Sequence, residues 1–211
     1  MIGDGHIGIK IRPKRAVDYI IVCSGNSVSD KNYVSRYVKR LKKLLYNLDF
    51  MCSQIGKNKS EIRLKINSKA LVGFYSDIIG LPVNKKKNIG IPNLIWTNKK
   101  FLKACLRGIV DTDFSFVIRK NGYPVLKLKT ESRKLVMHCQ KAFRQIGIES
   151  SINLDAREVH SKTKEPFFTN YLYISGKKKV KKYVEVIGFR NERNLAKLKK
   201  LYEPTGNFVN I

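Results

Sequence analysis

The sequence predicts an α+β protein made of two copies of one unit. Three observations carry this. Strand-like and helix-like stretches alternate along the chain, their order recurs in the second half, and matching residues recur at nearly one spacing. Asp4 precedes Asp113 by 109 positions, Lys69 precedes Lys177 by 108, and Gly80 precedes Gly188 by 108. The repeating order is helix-strand-strand-helix-strand-strand-helix, with the first helix of the first copy largely missing. Residues 1–90 form the first half on this reading and residues 91–211 the second.

In the first half, residues 6–12 alternate, with Ile7, Ile9 and Ile11 on one face and Lys10 and Arg12 on the other, the pattern of a half-buried strand. A turn at Arg12-Pro13-Lys14-Arg15 leads to a second strand over 17–23. Asp30 is placed to cap a long helix whose apolar stripe is Val34, Tyr37, Val38, Leu41, Leu44, Leu45 and Leu48, with Lys39, Arg40, Lys42 and Lys43 off the stripe. Residues 50–56 and 61–67 read as a hairpin. In its second strand Ile62, Leu64 and Ile66 oppose Arg63, Lys65 and Asn67. A helix follows over 68–79, and Gly80-Leu81-Pro82 stops it.

A loop carrying Lys85-Lys86-Lys87 and a short turn after Pro92 lead to a helix over 98–111. Strands are expected at 115–119 and 125–130, then a helix over 132–146 with Leu135, Val136, Cys139, Phe143 and Ile146 as its stripe. Strands at 150–155 and 167–175 and helices at 177–187 and 192–202 complete the copy.

Charge narrows the function. The 211 residues hold 43 Lys and Arg against 16 Asp and Glu, a net +27, with the basic residues spread throughout. That excess points to a polyanion, nucleic acid first. An anionic membrane surface would instead require a basic amphipathic helix whose apolar face lies outside the core. No apolar run is long enough to span a bilayer, and no leader is evident. Cys23, Cys52, Cys105 and Cys139 sit among apolar neighbours without metal-ligand spacing, so they are expected as buried, reduced thiols of an intracellular protein.

The duplicated acid is the chemical signal. Asp113 closes the 98–111 helix just before a strand, and Asp4 stands just before the first strand. A carboxylate at a helix C-terminus meets the negative end of the dipole and needs a cation. Two such acids brought together suit a hard divalent ion such as Mg2+. Ala104, Gly108 and Thr112 give the helix a small-residue face that another backbone could approach.

The segment Leu106-Arg107-Gly108-Ile109-Val110-Asp111-Thr112-Asp113 resembles the motif of the LAGLIDADG homing endonucleases. Ile91-Pro92, Phe101-Leu102 and Ser115-Phe116 around it fit archaeal-type members, and Ile2-Gly3-Asp4-Gly5-His6-Ile7 resembles the tail of a first copy. The resemblance implies a four-stranded antiparallel sheet in each half, the two sheets forming a saddle on double-stranded DNA. It implies a monomer that cuts both strands of a long site, with Asp4 and Asp113 holding divalent metal and Lys69 and Lys177 positioning solvent. Gly3, Ala104, Gly108 and Thr112 would line the helix interface. Lys10, Arg12, Arg63, Lys65 and Asn67 would face DNA in the first half. Arg119, Lys127, Lys129, Asn153, Arg157, Tyr171 and Tyr173 would do so in the second. The motif glycine after Asp113 is replaced by Phe114. The same fold also serves intron RNA maturases and non-cleaving nucleic-acid-binding regulators, which are the alternative.

Overall fold

The computed structural model describes residues 4–13, 16–84 and 88–202. Gly3 and the Lys85-Lys86-Lys87 loop lie outside them. The chain divides into two compact units, Met1–Lys86 with Asn191–Arg193, and Lys87–Arg190 with Asn194–Ile211.

The first unit is a four-stranded antiparallel sheet of β1 (Gly5–Ile11), β2 (Val17–Asn26), β3 (Met51–Ile55) and β4 (Glu61–Asn67), in the order β1-β2-β4-β3. Ile7, Ile21, Ile62 and Leu64 are buried on one face, as alternation dictates. Helices cover that face. The first begins with π-type turns over Tyr33–Val38 and continues as α1 (Lys39–Tyr46); the second is α2 (Lys69–Gly73), extended by π-type turns over Phe74–Ile78. Tyr33, Val34, Leu71, Val72 and Tyr75 are their buried hydrophobic residues. Gly25 permits the first helix to approach the sheet: a Cβ there would lie 2.9 Å from Val34 Cγ2. Asn84 covers the outer edge of β1, where its Oδ1 accepts from the Ile9 N–H at 3.0 Å.

Three expectations for this unit change. Asp30 stands where the cap was expected, but its carboxylate accepts from the Asn26 N–H (3.0 Å) and from Asn191 Nδ2 (2.8 Å), and pairs with Arg193. It therefore fastens Asn191–Arg193 to this unit and leaves the helix N–H groups alone. The first helix is also rotated from its expected phase. Lys42, expected outside, is buried, while Leu41, Leu44 and Leu45 are exposed. A π-type turn takes in one more residue than an α turn, so the stripe slips past the sheet. Finally, Cys52 is exposed, on edge strand β3.

The second unit repeats the topology: β5 (Phe114–Ile118), β6 (Pro124–Thr130), β7 (Ser151–Val159) and β8 (Pro166–Ser175) in the order β5-β6-β8-β7. It adds α3 (Asn93–Trp96), α4 (Lys99–Asp113), α5 (Arg133–Gln145), α6 (Lys177–Val186) and α7 (Glu192–Tyr202). Each long helix starts where its sequence signals it. The Asn98 and Ser132 side chains cap α4 and α5 through the Lys100 and Leu135 N–H groups at 2.7 and 3.2 Å. Phe116, Leu126, Leu128, Leu172 and Ile174 face Leu135, Val136, Cys139 and Phe143 of α5 across a fully buried core. Phe114 belongs to that core: it is 2% exposed, and its ring meets Phe143 edge-on at 6.2 Å. The departure from glycine there serves packing. Among the described residues no helix is long and apolar enough to cross a membrane.

Candidate nucleic-acid interface

Asp113 is the last residue of α4 and Asp4 the residue before β1, so each acid immediately precedes the first strand of its sheet. The register makes these places equivalent. Gly5 opposes Cys23 at the start of β1, as Phe114 opposes Leu128 at the start of β5. Asp4 is exposed, and its carbonyl accepts from the Ser24 N–H at 3.0 Å, which ties it to β2. Asp113 is half-buried. Lys69 and Lys177 are likewise equivalent, each the exposed first residue of the helix after the fourth strand of its unit. Ala104 is exposed on α4, and Gly108 and Thr112 are half-buried. The Thr112 hydroxyl donates back to the Gly108 carbonyl at 2.9 Å.

Asp111 is the residue that sequence reasoning left without a role. It is fully buried, and its Oδ2 accepts from the Arg190 N–H at 2.9 Å. Beside it, the Arg107 guanidinium donates twice to the Ile187 carbonyl. Together they hold the α6–α7 connection against the end of α4 that carries Asp113. The available signal was the first acid of the motif, placed two residues before the second.

The face of each sheet away from its helices is the candidate binding surface. In the first unit the register puts His6, Gly8 and Lys10 beside Ile20, Val22 and Ser24, then Arg63, Lys65 and Asn67, then Met51 and Ser53. His6, Lys10, Arg63 and Lys65 are among the residues lining a depression of about 290 Å³ on this face, with Ile20 and Val22 among its apolar residues. His6 was not foreseen as part of it. Acidic neighbours fix several of the bases. Arg12 lies beyond β1 and pairs with Asp18 at 2.5 Å, and Arg63 pairs with Glu61 at 3.0 Å. A hydrogen bond from Ser24, then Arg63, holds the Glu61 carboxyl below its ordinary range, so it is an anion at neutral pH.

In the second unit Ser115, Lys127, Tyr173 and Ser151 form one row, and Lys129, Tyr171 and Asn153 the next. Lys127 Nζ lies 4.3 Å from the Tyr171 ring centre, and the Tyr171 and Tyr173 rings stack at 5.8 Å. Tyr171, expected to contact DNA, is only 5% exposed. It works as a floor that orients Lys127. Lys129 pairs with Glu158 at 2.5 Å. Arg119 sits in the β5–β6 turn, its guanidinium 5.8 Å from the Tyr123 ring. Arg157 departs from expectation. A bulge between Asn153 and Ala156, with Asp155 at φ 53°, shifts the alternation. Arg157 therefore pairs with Phe168 on the face opposite Lys129, and Glu158 takes the side expected for it.

Residues 100–188 match the family model of the LAGLIDADG-like domain. A curated relative, the uncharacterized protein MJ0314 of Methanocaldococcus jannaschii, is 25% identical over 154 residues, covering 71% of this chain. The chain spans about half the length of that relative, 52%. Among solved structures the chain is similar to I-DmoI in complex with DNA and Ca (TM-score 0.66, 16% identity, 94% of this chain and 92% of that one). It is also similar to the I-LtrWI LAGLIDADG homing endonuclease bound to target DNA (TM-score 0.57, 12% identity, 96% and 86%). At such identities the likeness is one of fold.

Proposed function

From a chain that carries a LAGLIDADG-like domain and takes the fold of the LAGLIDADG homing endonucleases, we propose a site-specific DNA endonuclease that binds a long duplex through its two sheet faces and hydrolyses both strands. The observation that carries this reading is the repeated acid: Asp4 and Asp113 each stand directly before the first strand of a sheet with a basic outer face.

Asp4 and Asp113 are oxygen donors of the kind a hard divalent cation such as Mg2+ prefers. Each carboxylate supplies only part of the oxygen set such an ion takes, which leaves positions for water and phosphate oxygens. A bound divalent cation supplies an activated water and charge stabilisation at the leaving oxygen. The chain's own part is to hold one carboxylate per strand cut, and Asp111 keeps the end of α4 in place for this. Lys69 and Lys177 stand at equivalent helix starts, where an ammonium can orient solvent or a phosphate. Arg63, Lys65, Lys127 and Lys129 place positive charge along the two faces. The protein works on this reading as a single chain, with intron RNA as the alternative ligand.

The test starts by selecting bound duplexes from a randomised pool, then incubating the enriched duplex with Mg2+ or Mn2+. Both strands should be cut, and Asp113→Asn should abolish cutting of at least one strand while binding persists. Binding without any cleavage, or cleavage unchanged by Asp113→Asn, returns the chain to the non-cleaving binders. Preference for a structured intron RNA over every duplex would decide for the maturase reading.

A further inference from the structure

The two units provide an internal control for the rotated first helix. Met51 opposes Lys65 in one sheet, and Ser151 opposes Tyr173 in the other. Positions one hundred apart are therefore equivalent in the helices that lead into these strands. Leu41, Leu44 and Leu45 of α1 correspond to Lys141, Arg144 and Gln145 of α5, all exposed. The same outward face is hydrophilic in the second unit and leucine in the first, where Leu44 and Leu45 are 73% and 62% exposed. Tyr37 and Leu48 extend the ridge at either end. Leucines at this i, i+3, i+4 spacing form a helix-packing ridge. Nothing in packing of the unit's own sheet requires them, because the inward side of the helix is filled by Tyr33, Val34 and Lys42.

We propose that this leucine ridge of α1 docks an amphipathic helix of another protein whose apolar stripe is flanked by acidic residues. Charge complementarity selects this occupant. Arg36, Arg40 and Lys43 border the ridge on its solvent side. A second copy would bring a like-charged border against it. Lys43 is paired with Asp49 at 2.7 Å, so the complementarity of the border rests on Arg36 and Arg40. The ridge lies on the helix side of the sheet, away from the face assigned to nucleic acid, so both partners fit on the first unit together.

The probe is a fluorescent peptide helix with leucines on one face and glutamates elsewhere, titrated into the full chain. A control peptide has the same charge but serine for leucine. The chain variant Leu41→Lys/Leu44→Arg/Leu45→Gln carries the second unit's own residues. It adds positive charge, which alone would tighten binding of any acidic peptide. The leucine peptide should bind the natural chain at least about tenfold more tightly than it binds the variant, and more tightly than the serine peptide binds either. Duplex DNA binding should be no weaker in the variant than in the natural chain, which separates this inference from the proposed function. Equal peptide affinities would overturn it. So would leucine-dependent flotation with phosphatidylglycerol vesicles, or leucine-dependent self-association in sedimentation, each of which assigns the ridge to a different occupant.

Discussion

His138 shows how one side chain can make stability depend on pH. Its Nδ1 accepts from the Ile91 N–H at 3.1 Å, which requires the neutral ring, and the imidazole meets Trp96 edge-on at 5.6 Å. The approach is close enough that a Cβ on Gly90 would sit 2.9 Å from Nδ1. Burial, and then the nearby Lys134 and Lys141, lower its pKa from the ordinary 6.5. The unfolded chain takes up this proton near the ordinary value, whereas the folded chain resists it until lower pH. The contribution is therefore present above the ordinary value and lost as pH falls through the folded one. Denaturant melts at pH 7.5 and pH 5 should show a loss of stability in the natural chain that is smaller in His138→Gln, which keeps an acceptor but does not titrate. Equal losses would remove His138 as the cause. Lys42 makes the complementary point: its ammonium is buried because it donates to the Tyr75 hydroxyl at 2.9 Å and lies within 6 Å of the Tyr46, Phe50 and Tyr75 ring centres.

At the scale of elements, α4 is the member on which the second unit depends. Its buried face, Leu102, Leu106, Ile109 and Val110, sets its rotation, and Asp111 fastens its end to the α6–α7 connection. Replacing Asp111 with Ala orphans the Arg190 N–H and should cost about 1–3 kcal/mol, read as a lower midpoint in thermal or chemical denaturation. Asp111→Asn keeps an acceptor and should recover part of the loss. If Ala and Asn behave alike, the anchor is not that hydrogen bond. The bulge in β7 is the other element with consequences, since one irregular residue pair exchanges Arg157 for Glu158 on the candidate binding face.

For the whole molecule the governing quantity is +27. If six to ten of these charges neutralise phosphates, duplex affinity should fall by about 10³- to 10⁵-fold between 50 and 200 mM salt, and a filter-binding series at graded salt measures the slope directly. A shallow slope would show that few of the basic residues on the sheet faces reach the backbone. Arg12, Arg63 and Lys129 each have a carboxylate beside them already, Asp18, Glu61 and Glu158, so these three cations have a competitor for any phosphate.

What the sequence determined by itself is whatever depends on local spacing. Alternation at Ile7 and Ile9 and at Arg63 and Lys65 placed strands and their faces, Asn98 and Ser132 marked helix starts, and the recurring spacing of Asp4 and Asp113, then Lys69 and Lys177, disclosed two copies of one topology. Tertiary structure alone decided which surfaces are covered. The extra residue in each π-type turn rotated Leu41, Leu44 and Leu45 outward and Lys42 inward. The bulge at Asp155 turned Arg157 away, and Tyr171 disappeared beneath Lys127. Period reports the direction of a side chain relative to its own backbone, whereas burial depends on what packs against it, and a single irregular turn is enough to separate the two.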